Sequence, residues 1–313
     1  MLARVISAPL LRSISIRPFA TVTAAMVKQL RDLTGAPMMD CKKALQAEGV
    51  DGNIEKAVEV LRKQGMKRVN KVSSRTTQQG VIASTITEKK ATLVELLCET
   101  DFVARNDQFQ KLARDISSLV FTTGVTSVDA LQQSKFADGF SVADRLHETI
   151  AKMGENIVLH RCASLETASP SSILCSYEHN SVGPHMSQIA ALVSFAVDGD
   201  ASKLDRDALH KIGMHIVAAS PEYLRREEVP AEILAGERRL VEEEVKRLNK
   251  PEKIAKKMAE GKLGEFYRQK VLVDQLFALD EKQGSVGKMV EKLGKQAGCK
   301  VAIEGFVRMQ VGK

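Results

Sequence analysis

The chain has 313 residues, enough for several domains and a substantial core, and its 44% apolar and 27% charged residues match a globular protein. No apolar run approaches the length that spans a bilayer, so no membrane association is expected. Trp is absent and aromatics reach only 4%, which argues against a base-stacking surface for single-stranded nucleic acid.

Residues 1–24 contain Arg4, Arg12 and Arg17, no acidic residue, and Ser7, Ser13 and Ser15 among Leu, Ile and Val. An acid-free, Arg- and Ser-containing N-terminus has the composition of a mitochondrial targeting segment, which is removed after import. Its loss takes three positive charges from the net +7, leaving +4. That is too modest for direct nucleic-acid binding.

Residues 25–66 read as three short helices. The first carries Val27, Leu30 and Leu33 and stops at Thr34-Gly35-Ala36-Pro37, where Gly and Pro break it. The second carries Ala44 and Leu45. Asp51 or Asn53 can cap the third, whose Ile54, Ala57, Val58 and Leu61 form one stripe. Residues 67–79 show no apolar periodicity and read as a polar, basic linker.

From residue 80 to 220 the pattern is that of an α+β core. Val81–Thr87 and Ala91–Cys98 flank Glu88-Lys89-Lys90, a hairpin signal, and a helix from Asp107 to about Phe121 follows. A helix over Ala143–Met153 ends at Gly154, and Ile157–Leu165 reads as a central strand. The order then recurs: strands Ile173–Tyr177 and Gln188–Val197, joined by the loop His179–Met186, precede a helix over Asp205–Ala219. Two related units are expected.

Residues 221–275 read as an inserted antiparallel helical hairpin broken at Asn249-Lys250-Pro251. Leu234, Val241 and Leu248 recur every seven residues, and Ile254, Ala255, Met258, Ala259 and Leu263 make the facing stripe. Residues 276–313 close the core with a helix (Val286–Leu293) and a strand (Val301–Val311).

One corner stands out. Leu97-Cys98-Glu99-Thr100-Asp101-Phe102-Val103-Ala104 places an aromatic where a strand gives way to a helix. Such a residue either folds back into its own core or is offered to a partner. In the second unit Gly199-Asp200-Ala201 falls near that place with no aromatic, so the shared fold does not require one.

This corner, with Val27–Leu45 including Thr34-Gly35-Ala36-Pro37-Met38-Met39-Asp40-Cys41-Lys42-Lys43, closely resembles the elongation factor Ts family, the exchange factors of the translational GTPase Tu. The resemblance continues through Gly154-Glu155-Asn156-Ile157, Tyr177-Glu178-His179, Met214–Ala219, Lys250–Lys262 and Gly305–Gly312. It implies a ubiquitin-associated-like N-terminal domain and a partner, Tu, met in GDP-bound and nucleotide-free forms. It also implies that Thr100, Asp101, Phe102 and Val103 disturb the magnesium and phosphate site of Tu. Met38, Met39, Met153, Gly154 and His179 are implied as further contacts. Family members usually carry Gly at Pro37 and Ile at Met153, and Asn180–His185 lengthens the segment after His179.

Other readings are weaker. Gly284-Ser285-Val286-Gly287-Lys288-Met289 resembles a phosphate loop, but Lys282 and Met289 occupy positions that need Gly and Ser/Thr. Five cysteines without a C-x-x-C pair read as free thiols, and six histidines without H-E-x-x-H give no metal site. No cofactor and no enzymatic activity are expected, and the mitochondrial matrix is the expected location.

Overall fold

The computed structural model describes residues 22–248 and 251–313. The targeting segment therefore lies outside the described residues up to position 21, as do Asn249 and Lys250. The chain divides into two units, the boundary falling between Arg68 and Val69.

The first unit holds α1 (Ala24–Thr34), α2 (Met38–Leu45) and most of α3 (Ile54–Val72). Thr23 caps α1, and Gly35 ends it in a left-handed conformation (φ 67°) open to glycine at little cost. Asn53, not Asp51, caps α3 by accepting from the Lys56 N–H at 3.0 Å. Val27, Leu30, Cys41, Ala44, Leu45, Val50 and Ala57 form a small buried core. The helix does not stop at residue 66. It continues to Val72, through the first half of the stretch read as linker, because Val69 and Val72 pack into the larger unit's core.

The second unit is α+β with antiparallel strands. It contains β1 (Gln79–Ile86), β2 (Lys90–Cys98), α4 (Asp101–Ala104), α5 (Asp107–Thr123), α6 (Val128–Gln133), α7 (Val142–Met153) and β3 (Val158–Glu166). Then follow β4 (Ile173–Gly183), β5 (Met186–Asp198), α8 (Arg206–Ala219), α9 (Ala231–Arg247), α10 (Glu252–Lys270), α11 (Val286–Ala297) and β6 (Lys300–Gln310). In each half the second strand lies between the other two: β2 between β1 and β3, β5 between β4 and β6. The halves join where Ile82 and Ala83 pair with Ser187 and Met186. β3 is thus an edge strand and not a central one.

The internal repeat extends to register. Leu96 pairs with Leu159 and Leu97 with Val158, as Phe195 pairs with Ile303 and Ala196 with Ala302. Both ladders carry an irregularity at the same place, between Glu95 and Leu96 and between Ser194 and Phe195. α7 and α11 match as well: each is capped by a Ser (Ser141, Ser285) and ended by a left-handed Gly (Gly154, Gly298).

Alternation along β2 explains the layering. Val94, Leu96 and Cys98 face α5, whose Phe109, Leu112, Ala113 and Ile116 complete one core. Leu93 faces the other way, where with Ile82 and Ala91 it meets Ala190, Leu192 and Met309 of the second half. Glu95 lies on that inner face, fully buried, paired with Arg161 at 2.5 Å and accepting from the Gly312 N–H at 2.8 Å. A buried carboxylate persists only when its lone pairs are met in this way.

The helical hairpin is antiparallel, with Lys262 of α10 bridging Glu244 of α9 at 2.7 Å. Its seam is formed by buried Val241 and Val245 against half-buried Ala255, Met258, Ala259 and Leu263. Leu248 and Ile254, read as stripe positions, are instead exposed at 45% and 49%.

His215 of α8 is fully buried. Its Nδ1 accepts from the Ala278 N–H at 3.1 Å, which leaves Nε2–H to donate to Gln275 Oε1 at 3.0 Å. Both nitrogens are used by the neutral ring, and burial pushes its pKa below 6.5 despite the opposing Gln275 bond. The unfolded chain therefore binds the proton more readily. Stability is fully present above pH 6.5 and is lost as pH falls toward the depressed folded pKa. A fall in melting temperature that begins as the pH drops below 6.5, above the range of ordinary carboxylates, is the expected result. His215→Gln should flatten that slope, and an unchanged slope would assign it elsewhere.

Candidate functional site

Thr100 leaves β2 in extended conformation and caps α4, its Oγ1 accepting from the Val103 N–H at 3.4 Å. The helix is a single turn. Asn106 then caps α5 by accepting from the Gln108 N–H at 2.9 Å. Between these caps Val103 and Ala104 point into the core beneath. Phe102 points away from it and is 82% exposed. Of the two sequence alternatives, core packing is not what this side chain does. Asp101 beside it is also exposed and lies 4.0 Å from Arg105, one helical turn on.

A carboxylate 55 residues further along the chain holds the corner in place. Glu155 follows Gly154, the left-handed cap of α7 (φ 77°). Its Oε2 accepts from the Thr100 N–H at 3.1 Å, and its Oε1 from the Thr100 hydroxyl at 2.7 Å. Glu99 answers in the other direction, accepting from the Asn156 N–H at 2.7 Å and pairing with Arg75 at 3.3 Å. Asn156 in turn donates to the Ser73 and Arg75 carbonyls. Cys98 lies underneath, its Sγ 3.1 Å from the Thr100 carbonyl. Burial, with the Glu155 charge adding, pushes this thiol up to about 12, so it is inert at neutral pH.

The structure therefore brings Thr100, Asp101, Phe102 and Val103 together with Met153 and Gly154, through Glu155. Met153 is half-buried against the core. The remaining candidates sit elsewhere. His179 is not in a loop: it lies within β4, paired with Ile189, and its Nδ1 is 3.3 Å from the Tyr177 hydroxyl. The strand continues to Gly183, and only Pro184 and His185 (φ 56°) form the turn into β5. The tip of this hairpin is tied to the corner by Gln110, which donates to the Ala104 and Val182 carbonyls, each at 3.3 Å. In the three-helix unit Met38 and Met39, at the start of α2, are 44% and 60% exposed, and Leu33, near the end of α1, is exposed as well.

Glu155, Glu99 and Gln110 carried no assigned role in the sequence reading. The signal for Glu155 was its place in Gly154-Glu155-Asn156-Ile157, but its partner is 55 residues away. A groove of about 740 Å³ between α5 and α7 is lined by Lys111, Arg145 and Lys152 as well as Asp115, Asp138 and Glu148, and each of these cations is already paired with one of these carboxylates, so none is left over for a phosphate. Among the described residues no group of three or more His, Cys, Asp or Glu could hold a metal ion. Nor is any described helix long and apolar enough to cross a membrane. The arrangement offers an exposed aromatic on a braced turn.

Comparison with known proteins gives a consistent answer. The family described as Elongation factor TS matches residues 99–313, from the corner onward. Elongation factor Ts of Agrobacterium fabrum is 40% identical over 293 residues, 93% of each chain. Elongation factor Ts of Rhodospirillum rubrum is 38% identical over 296 residues, 94% of each chain. That of Streptomyces griseus is 40% identical over 295 residues, covering 94% of this chain and 99% of its own. With matches of this length and identity, the chain belongs to the elongation factor Ts family.

Proposed function

We propose that Phe102 is the working part of a nucleotide exchange factor, inserted into elongation factor Tu beside its magnesium and phosphate site. As a family member the chain promotes GDP release from Tu, and it does so by binding and not as an enzyme. A GTPase holds GDP through backbone amides, a Lys and a Mg²⁺ bridging phosphate oxygens. Moving the element that supports the magnesium ligands weakens all of these together.

The observation that carries the reading is the 82% exposure of Phe102 on a turn anchored at both ends. Burying one Phe is worth about 2–3 kcal/mol. Shifting a nucleotide site by a factor of ~10⁴ takes about 5.5 kcal/mol of differential binding. Phe102 therefore works with a broader interface, for which Met38, Met39, Met153, Gly154 and His179 are the candidates. The factor meets Tu in both GDP-bound and nucleotide-free forms and needs no direct nucleic-acid contact. Release of labelled GDP from Tu, with and without the purified chain, tests this. Acceleration that saturates with the chain supports it, and an unchanged rate overturns it.

Two finer readings belong here. The three-helix unit is read as a ubiquitin-associated-like domain, on its size and its family position. Residues 1–24 are read as a mitochondrial import signal on composition alone. A fluorescent reporter carrying this segment should enter mitochondria, and one with Arg4, Arg12 and Arg17 changed to Glu should stay outside. Equal import of both would remove that assignment.

A further inference from the structure

The internal repeat provides a comparison for the corner. Register places Gly199 at the position of Thr100, Asp200 at that of Asp101 and Ala201 at that of Phe102. The turn after α11 matches the turn after α7, so Cys299 stands where Glu155 stands. In the second half this contact is made by close packing. A Cβ on Gly199 would lie 2.7 Å from the Cys299 Cβ, so there is no room for two side chains and no hydrogen bond between them. The fold can therefore close this corner with small groups alone. In the first half it uses a half-buried carboxylate with two bonds to one residue, and only there does the corner carry an aromatic.

We infer that Glu155 is a positioning residue for nucleotide exchange: its two bonds to Thr100 fix the direction of α4 and so aim Phe102. The inference rests on the wedge reading of Phe102. The physics is that of preorganisation. α4 is one turn long, too short to hold its own direction, and Val103 and Ala104 fix only its inner face. The Thr100 N–H and hydroxyl tie the start of the turn to Glu155 by charge-assisted bonds, which are the stronger kind. Free to rock, Phe102 would reach Tu in many orientations, and ordering it on binding would reduce the effect.

The chain has no Trp, so Phe102→Trp creates a single fluorescent reporter at the wedge. Its anisotropy should fall when Glu155→Ala is added, while the melting temperature falls by only a few degrees, as loss of such bonds within the chain implies. Exchange on Tu at saturating factor should fall by up to about tenfold for Glu155→Ala, the order expected when a side chain must be ordered on binding. Thr100→Val, which removes the hydroxyl donor and keeps the N–H, should lose part of the exchange rate. In a Phe102→Ala background, Glu155→Ala should have no further effect. Equal losses in both backgrounds would mean that Glu155 touches Tu directly, and would overturn the proposal. So would an unchanged exchange rate with Phe102 intact, or a Glu155→Ala chain that fails to fold. If Phe102→Ala alone leaves exchange intact, it is the wedge reading that fails, and this inference falls with it.

Discussion

A Phe102→Ala chain is expected to fold and melt as the parent does, yet to lose most of its ability to release GDP from Tu. The stability half follows from exposure. At 82% exposed the ring has little to lose on truncation, and surface changes of this kind stay within about 0.5 kcal/mol. The functional half follows from the apolar area buried in the partner, worth about 2–3 kcal/mol. If that energy is realised only when Tu is opened, the exchange rate at saturation falls roughly 30- to 150-fold. Binding through the remaining contacts should persist, because only the differential term is removed. Thermal melting together with labelled-GDP release would read both halves. A variant that melts many degrees lower while keeping full exchange would show that the ring belongs to the core.

The opposite result is expected seven residues further along the chain, in the next helix. Phe109 opens the buried face of α5 and is fully enclosed among Val94, Leu96 and Ile116. Phe109→Ala should cost about 3–5 kcal/mol, as buried Phe truncations do. Chemical denaturation would read this as an earlier midpoint with an unchanged slope. Any variant molecules that remain folded should exchange nucleotide at the parent rate, since Phe102 is intact. A loss below about 1 kcal/mol would mean that the core under the corner is loose, and a loose base could not hold Phe102 in one direction.

The contrast between these two residues also shows what could be read from sequence. Strands β1 and β2 were legible because a charged turn, Glu88-Lys89-Lys90, separates two β-rich runs, and local pattern suffices for a hairpin. The helix over Asp107–Thr123 was legible because its buried residues repeat at helical spacing over several turns. α4 was not, since a single turn is too short to carry a period. The stretch after residue 66 looked like a linker because only Val69 and Val72 are apolar among Lys67, Arg68, Asn70 and Lys71. Two valines are enough to continue a helix when a core is waiting for them, and the sequence does not show the core. The segment after His179 looked like a loop because Asn180, Gly183 and Pro184 are breakers. Pairing with β5 and the Gln110 clamp hold most of it as strand. At the site, the exposed ring was legible as a question, while the brace from Glu155 was not, because it joins residues far apart in the chain.

We propose that Phe102 converts binding into nucleotide release, and linkage gives the most direct measurement of it. If the factor weakens the hold of Tu on GDP, GDP must weaken the hold of Tu on the factor by the same ratio. The affinity of the parent chain and of Phe102→Ala should therefore be measured on nucleotide-free Tu and on Tu saturated with GDP. The ratio should be large for the parent and reduced about 30- to 150-fold for the variant. A parent affinity that is the same with and without GDP, or a ratio untouched by removing the ring, would contradict the proposal.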